Sequence, residues 1–300
     1  GTHHLTLADS GAALLNAGAG VLALAYAVQL SQASVVDAAG AATLEAMPRF
    51  AAAGNLMIAD TPTALAAMPS SLATAASAVG LVAETGSNAA AYTINATQFA
   101  ALLALHDFSL ANFAGTVSIT DTATALAALA GPVGNLSAGV QAHIEMTLGT
   151  SATVTAATTE TLHGLPTFSV GSSALTISDT AAALAALDAG TAALAHVIEL
   201  AAPATLVVAA AATLAGLSHF TIDSNPLTIA DTPANLAAQS LATAAIAASE
   251  TILPWSVATQ ADYTLDTTQF AALLSHGDLS FAGFNGPLVV QDTATALAGI

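Results

Sequence analysis

The chain contains no cysteine, no lysine and a single arginine, Arg49, among its 300 residues. The lack of cysteine excludes disulfide bonds and thiolate metal sites. Nineteen acidic residues give a formal net charge of −18. This balance excludes an ordinary nucleic-acid surface, because such a surface needs cations that neutralise phosphates. Aromatic residues make up only 4% of the chain, which leaves few for a sugar-binding groove.

Charged residues make up only 7% of the chain, and the mean hydropathy is +0.74. Residues 200–217 carry no charge over a length close to that of a membrane-spanning helix. However, Pro203 interrupts this stretch, alanine and threonine fill much of it, and no lysine or arginine flanks it. We therefore expect no membrane insertion and interpret the apolar surface as a contact surface.

A short motif centred on Asp-Thr recurs along the sequence, and residues 175–187 (Leu-Thr-Ile-Ser-Asp-Thr-Ala-Ala-Ala-Leu-Ala-Ala-Leu) show it best. Five copies contain Asp-Thr, a sixth contains Asp-Ser, and each has a leucine five residues after the aspartate. The aspartates are Asp9, Asp60, Asp121, Asp179, Asp231 and Asp292. Six copies identify an internally repeated chain.

Three repeats form a longer super-repeat. Asp9 and Asp179 lie 170 residues apart, and Asp121 and Asp292 lie 171 apart. The sequence Thr-Gln-Phe-Ala-Ala-Leu-Leu at residues 97–103 returns at residues 268–274. We therefore predict one solenoid array over residues 1–300, belonging to a longer chain or a polymer. Its units start near positions 5, 56, 117, 175, 227 and 288.

The motif predicts a strand followed by a short helix. Leu-Thr-Ile-Ala alternates apolar and polar residues, as a half-buried strand does, and the alanine-rich segment that follows favours a helix. Pro62 and Pro233 suit the first turn of that helix. We expect further strands at Phe108, Phe168 and Phe220 and at residues 281–284. The predicted fold class is an α/β repeat solenoid of strand–short helix–strand coils with parallel sheets.

The repeated aspartates have two interpretations. As structural helix caps, their side chains would accept hydrogen bonds from free backbone N–H groups, and we favour this interpretation for all six. Five of them are also weak calcium candidates. These are Asp60, Asp121, Asp179, Asp231 and Asp292. The Gly-Gly-x-Gly-x-Asp motif of calcium-binding β-rolls does not occur, so calcium is a minor possibility and no other cofactor is predicted.

The sequence predicts no catalytic residue. It has no Gly-x-Ser-x-Gly, phosphate-loop or His-Glu-x-x-His motif, and no polar set that is both unique and clustered. His106, His219, His276 and Arg49 each follow a predicted helix, and we assign them to one shared position. There the helix dipole would stabilise a cation, so no metal is needed. We expect the protein not to be an enzyme.

The motif at residues 175–187 resembles repeats of very large secreted alphaproteobacterial proteins, of the surface-layer, adhesin and RTX-type exported classes. The resemblance covers essentially the whole chain. It implies an extracellular or cell-surface location, a structural or adhesive role, and export without a cleaved N-terminal signal.

These observations together predict an extracellular structural protein that self-assembles into filaments, fibres or a surface layer. Its partner would be other copies of itself, in head-to-tail and lateral contact. One alternative is a monomeric adhesin stalk within a large surface protein. A third possibility is a polysaccharide-active solenoid enzyme, which the few aromatic residues and dispersed carboxylates disfavour.

Overall fold

A computed structural model describes residues 4–82, 91–110, 113–223, 225–253, 263–281, 284 and 286–299. Short strands alternate with short helices throughout this part of the chain. The strands are β1 (Thr6–Asp9), β2 (Ala27–Leu30), β3 (Ser34–Val36), β4 (Leu56–Asp60), β5 (Ala78–Leu81), β6 (Ala91–Ile94), β7 (Phe108–Ser109), β8 (Thr116–Asp121), β9 (Ile144–Leu148), β10 (Ala152–Val154), β11 (Phe168–Ser169), β12 (Leu175–Asp179), β13 (Val197–Leu200), β14 (Ala204–Leu206), β15 (Phe220–Thr221), β16 (Leu227–Asp231), β17 (Ser249–Ile252), β18 (Thr264–Leu265), β19 (Leu279–Ser280) and β20 (Val289–Val290).

The helices are short as well, and among the described residues five of them have eight residues. They are α1 (Gly11–Leu15), α2 (Ala19–Leu22), α3 (Ala38–Glu45), α4 (Pro62–Ala66), α5 (Ser70–Ala75), α6 (Ala96–Leu103), α7 (Ala123–Ala127), α8 (Ala130–Gly134), α9 (Ala138–Gln141), α10 (Ala156–His163), α11 (Ala181–Ala185), α12 (Ala189–Ala192), α13 (Val208–Ala215), α14 (Pro233–Ala238), α15 (Leu241–Ala245), α16 (Thr267–Leu274) and α17 (Ala294–Leu297).

The strands form parallel sheets with one recurring order. In each four-stranded sheet a strand that precedes an eight-residue helix pairs with an Asp-Thr motif strand. The motif strand pairs with the strand that follows the short helices, and a two-residue strand completes the sheet. These sheets are β3-β4-β5-β7, β6-β8-β9-β11, β10-β12-β13-β15 and β14-β16-β17-β19; β1-β2 and β18-β20 are shorter. The mixed α/β class and the parallel pairing were both predicted from the sequence.

The motif strands have one buried and one outward face. In β12, Leu175 and Ile177 are fully buried, while Thr176 and Ser178 between them are only partly buried. Ile177 pairs with Ile198 of β13, and both belong to a core that also contains Leu184 of α11. Burying a side chain of this size contributes about 1.5–3 kcal/mol. The alternation of apolar and polar residues therefore determines which face of the sheet is buried, as the sequence predicted.

The super-repeat is visible in the element bounds. Helices α3 and α13 start 170 residues apart, at Ala38 and Val208, whereas α6 and α16 start 171 apart. The additional residue lies in the loop before β16, because Phe50 and Phe220 are 170 residues apart and the first residues of β4 and β16 are 171 apart. Equivalent positions can therefore be compared between repeats directly. We number the repeats 1 to 6 by their motif strands β1, β4, β8, β12, β16 and β20.

The chain divides into two compact units. One comprises residues 1–150 and 164–171, and the other comprises residues 151–163 and 172–300. Each four-stranded sheet falls entirely within one unit. A single array over residues 1–300 remains a prediction.

Most predicted strands are present, and one is displaced. Phe108, Phe168 and Phe220 start β7, β11 and β15, as expected. The prediction of a strand at residues 281–284 is wrong, because the strand in this region is β19, at Leu279–Ser280. Residues 282 and 283 lie outside the described part. Residues 200–217 form the end of β13, then β14, and then α13. Across the described residues, no helix has both the length and the apolarity to cross a membrane.

Candidate functional site

The residue that caps each short motif helix is the threonine or serine after the aspartate. Thr61 has an extended backbone (φ −66°, ψ 154°), and its hydroxyl accepts a hydrogen bond from the Ala64 N–H at 3.3 Å. Ser10, Thr122, Thr180, Thr232 and Thr293 cap their helices in the same way. The prediction that Asp9, Asp60, Asp121, Asp179, Asp231 and Asp292 are the caps is thus corrected by one residue. Each aspartate ends its strand or lies just after it, where its side chain has another role.

Each of the last five aspartates joins the starts of two helices. Asp60 Oδ1 accepts a hydrogen bond from the Thr61 N–H at 2.7 Å, and Asp60 Oδ2 accepts one from the Ala38 N–H at 3.0 Å. Ala38 is the first residue of α3, 22 positions earlier. We call this arrangement the Asp clamp. It recurs between Asp121 and Ala96, Asp179 and Ala156, Asp231 and Val208, and Asp292 and Thr267.

The clamp is electrostatically favourable. Backbone N–H groups at a helix start carry partial positive charge, and a carboxylate that accepts them forms charge-assisted hydrogen bonds. The Thr267 hydroxyl, 2.7 Å from Asp292 Oδ2, is the largest cause that lowers the pKa of Asp292, followed by the Thr293 and Thr267 N–H groups. Asp231 is the buried example, only 6% exposed, and its Oδ1 also accepts from Asn235 Nδ2 at 2.8 Å. The repeated aspartate is therefore a structural residue in this fold.

Calcium at Asp60, Asp121, Asp179, Asp231 or Asp292 stays a prediction. Both carboxylate oxygens of Asp60 already accept backbone N–H groups, and an ion would have to compete with them. Over the described ranges, no three His, Cys, Asp or Glu side chains are grouped so that they could hold a metal ion.

The prediction that Arg49 and three histidines share one position after the helices is wrong, because the structure places them at three different positions. Arg49 and His219 are equivalent, four residues beyond α3 and α13, and both have a positive φ (45° and 64°). His106 lies three residues beyond α6, and His276 lies two beyond α16. None of them is in the last helical turn, so the helix dipole does not explain them. Arg49 instead stacks on the Tyr26 ring, 3.9 Å from its centroid, as a cation–π contact.

A buried polar cluster lies in repeat 5. His276 Nδ1 is 2.7 Å from Glu250 Oε2, and the two side chains are 8% and 3% exposed. The amide nitrogen of Gln239 contacts Glu250 Oε1 and lies 3.1 Å from His276 Nδ1. Gln239 Oε1 is buried, and it has no hydrogen-bond partner among the residues that the structure describes. We call these three residues the polar trio.

All three positions of the polar trio are occupied by apolar residues in repeats 1 to 4. Glu250 pairs with Ile229 in the register that other repeats fill with Val28, Val79, Met146 and Ile198. Gln239 stands eight residues after the motif aspartate, as do Ala17, Met68, Leu129 and Leu187. His276 stands two residues after the eight-residue helix, as do Met47, Leu105, Leu165 and Leu217.

The prediction that no polar set is both unique and clustered is therefore wrong. The three residues span 37 positions of sequence, and only the packing of α14, β17 and α16 brings them together. The sequence did contain a signal: an alignment of all repeats at single-residue precision would have shown three apolar positions that turn polar in one repeat.

The outward face of the sheet β3-β4-β5-β7 is more apolar than that of the equivalent sheet β14-β16-β17-β19. In β14-β16-β17-β19 this face carries Thr205, Thr228 and Thr251. In the equivalent sheet β3-β4-β5-β7 it carries Val35, which is 63% exposed, and Met57, which is 36% exposed. Together with Gly80 and Phe113 they line a surface depression. This sheet therefore offers an exposed apolar patch.

The fold defines a class, a mixed α/β repeat protein built from short parallel sheets and joined helix starts. Comparisons of the chain with protein-family models, with curated proteins and with solved structures found no match.

Proposed function

We propose that this chain is an extracellular structural protein whose sheets stack as a solenoid and whose copies assemble into filaments, fibres or a surface layer. The observation that carries the proposal is the exposed apolar patch on the sheet β3-β4-β5-β7, where Val35 is 63% and Met57 is 36% exposed. The equivalent sheet β14-β16-β17-β19 carries threonines at these positions. An exposed apolar patch marks a contact surface, and an unclosed contact between identical copies builds a filament.

The outward faces favour contact between neighbours. With one cation and few charges, the surface offers little specific repulsion, and the patch at Val35 and Met57 is apolar. The net charge of −18 opposes bundling at low salt, and added salt screens that repulsion. Lateral association should therefore increase with ionic strength.

Two variants of the patch test the proposal. The double variant Val35→Thr, Met57→Thr carries the residues found at the equivalent positions Thr205 and Thr228. The matched control Thr205→Ser, Thr228→Ser changes the equivalent sheet and leaves the apolar patch intact.

Electron microscopy and sedimentation velocity over a range of protein concentrations give the readout. We expect regular polymers for the parent chain and for the serine control, and markedly less polymer for Val35→Thr, Met57→Thr. Isolated rods at every concentration would overturn the proposal in favour of the monomeric adhesin stalk. The polysaccharide-active enzyme stays third, because no observation on the described residues favours it.

A further inference from the structure

We propose that Arg49, the one arginine of the chain, forms an ion pair with the Asp278 carboxylate of a second copy. This inference rests on the proposed self-assembly and names one of its contacts. It arises from a position that recurs in the fold, the fourth residue after each eight-residue helix, which we call the turn position.

The turn position has nearly the same local geometry each time it occurs. Its φ is positive in four of the five described cases. In four cases its backbone carbonyl accepts a hydrogen bond from a neighbouring strand, as the Asp107 carbonyl does from the Val79 N–H at 3.2 Å and the Asp278 carbonyl from the Glu250 N–H at 3.1 Å. All five side chains are exposed. The five residues are Arg49, Asp107, Thr167, His219 and Asp278.

The turn position carries both signs of charge. It holds Arg49 in a chain without lysine, and it also holds the acidic residues Asp107 and Asp278. The Asp107 carboxylate lies 2.8 Å from Nδ1 of the adjacent His106. Across the described residues, neither Arg49 nor Asp278 forms an ion pair. A guanidinium and a carboxylate that stand unpaired in matching turns are complementary between two copies.

The Arg49 side chain is held ready for such a contact. Its guanidinium carbon lies 3.9 Å from the centroid of the Tyr26 ring, and the His4 ring stacks on Tyr26 with centroids 3.6 Å apart. Stacking uses the flat face of the guanidinium and leaves its in-plane N–H donors, which match the two oxygens of a carboxylate. A side chain that is already held loses less conformational freedom on binding, so the cost of association falls.

Charge also favours a second copy as the partner. Copies that each carry a net charge of −18 repel one another, so their contact is most favourable where opposite charges meet. Every copy supplies the Asp278 carboxylate in a turn of the same kind as the one that holds Arg49. One exposed ion pair contributes little by itself, but each added copy in a polymer repeats it.

Charge reversal in the full chain tests this contact. Sedimentation velocity and electron microscopy over a concentration series give the concentration at which polymer first forms. Arg49→Asp sets two carboxylates against each other, and aspartate tolerates the positive φ at this position. We expect the concentration to rise several-fold, and the rise to shrink as added salt screens the charges. The double variant Arg49→Asp, Asp278→Arg reverses the pair and should return the concentration close to that of the parent chain.

A second double variant separates the specific pair from net charge. Arg49→Asp, Glu160→Arg has the formal net charge of the parent, −18, but places the new arginine on the exposed side of α10. It should not restore assembly, and equal restoration by both double variants would overturn the contact. Unchanged polymer formation in Arg49→Asp would also overturn the contact and leave the proposed function intact. A parent chain that stays monomeric at every concentration would overturn both.

Discussion

Repeats 2 and 5 share one backbone plan but differ in their interiors. Helices α6 and α16 span equivalent residues, and each starts with a capping box, formed by Asn95 and Gln98 in one and by Asp266 and Gln269 in the other. The hydroxyl of Tyr92 donates to the Val82 carbonyl, and in repeat 5 the hydroxyl of Tyr263 donates to the Leu253 carbonyl.

The difference lies in what these shared elements enclose. Repeat 2 places methionine, valine and leucine where repeat 5 places the polar trio. On the outward face the contrast has the same direction, with Met57 and Gly80 in repeat 2 against Thr228 and Thr251 in repeat 5. The Asp clamp and the capping boxes hold the backbone in both repeats. The interior and the surface can therefore diverge while the fold is kept.

The largest expected effect comes from breaking the polar trio at one residue. His276→Leu leaves the carboxylate of Glu250, which is 2% exposed, without its closest partner. Removing one member of a buried pair costs about 3–5 kcal/mol. Urea unfolding should show this loss for His276→Leu, whereas the same substitution at the exposed His106 should change little. A loss below about 1 kcal/mol would mean that Glu250 is not held by His276.

The next effect concerns the Asp clamp, which both repeats share. Asp231→Ala removes the acceptor of three hydrogen bonds at a buried site, and we expect a loss of about 2–3 kcal/mol in the free energy of unfolding. Asp9→Ala should cost less, because the Ser10 N–H is the one backbone donor seen at Asp9 among the described residues. Equal losses at the two sites would contradict the clamp.

A smaller effect is expected at the helix caps. Thr61→Ala and Thr232→Ala each remove one hydroxyl acceptor from a helix start, with an expected loss of about 1 kcal/mol in either repeat. Serine at these positions keeps the hydroxyl and should restore most of the stability in urea unfolding. If alanine lowered the free energy of unfolding more at the threonine than at the neighbouring aspartate, the cap would contribute more to stability than the clamp, contrary to this prediction.

The smallest effect is on pH dependence. The pKa of Asp292 is lowered chiefly by the Thr267 hydroxyl, so the folded state favours the carboxylate. This contribution to stability is present above the ordinary aspartate pKa and is lost as the pH falls through the lowered value. Thr267→Val should raise the pKa of Asp292 in an NMR titration of the carboxyl carbon.

Asp188 offers a matched case, because the Thr191 hydroxyl is the main cause that lowers its pKa. Thr191→Val should raise the pKa of Asp188 and leave that of Asp292 unchanged. An Asp292 pKa that does not move in Thr267→Val would contradict the assigned cause.

Much of the fold followed from local pattern. Alternation in Leu175 to Ser178 predicted the strands, and the position of the aspartates predicted where helices start, to within one residue. The clamp between Asp60 and Ala38 was not predictable in this way, because it depends on which strands are neighbours in a sheet. The polar trio was missed for the same reason. Its members look unremarkable one by one, and only the packing of three elements makes them a cluster.

The central claim is that the repeats share one fold whose interior positions change as sets. It is tested most directly by the unfolding free energy of the triple variant Gln239→Met, Glu250→Val, His276→Leu, measured in urea. Replacing a complete buried polar set with apolar residues is often neutral or stabilising, so we predict a value within about 1 kcal/mol of the parent chain or above it. A loss as large as the sum of the three single substitutions would contradict the claim.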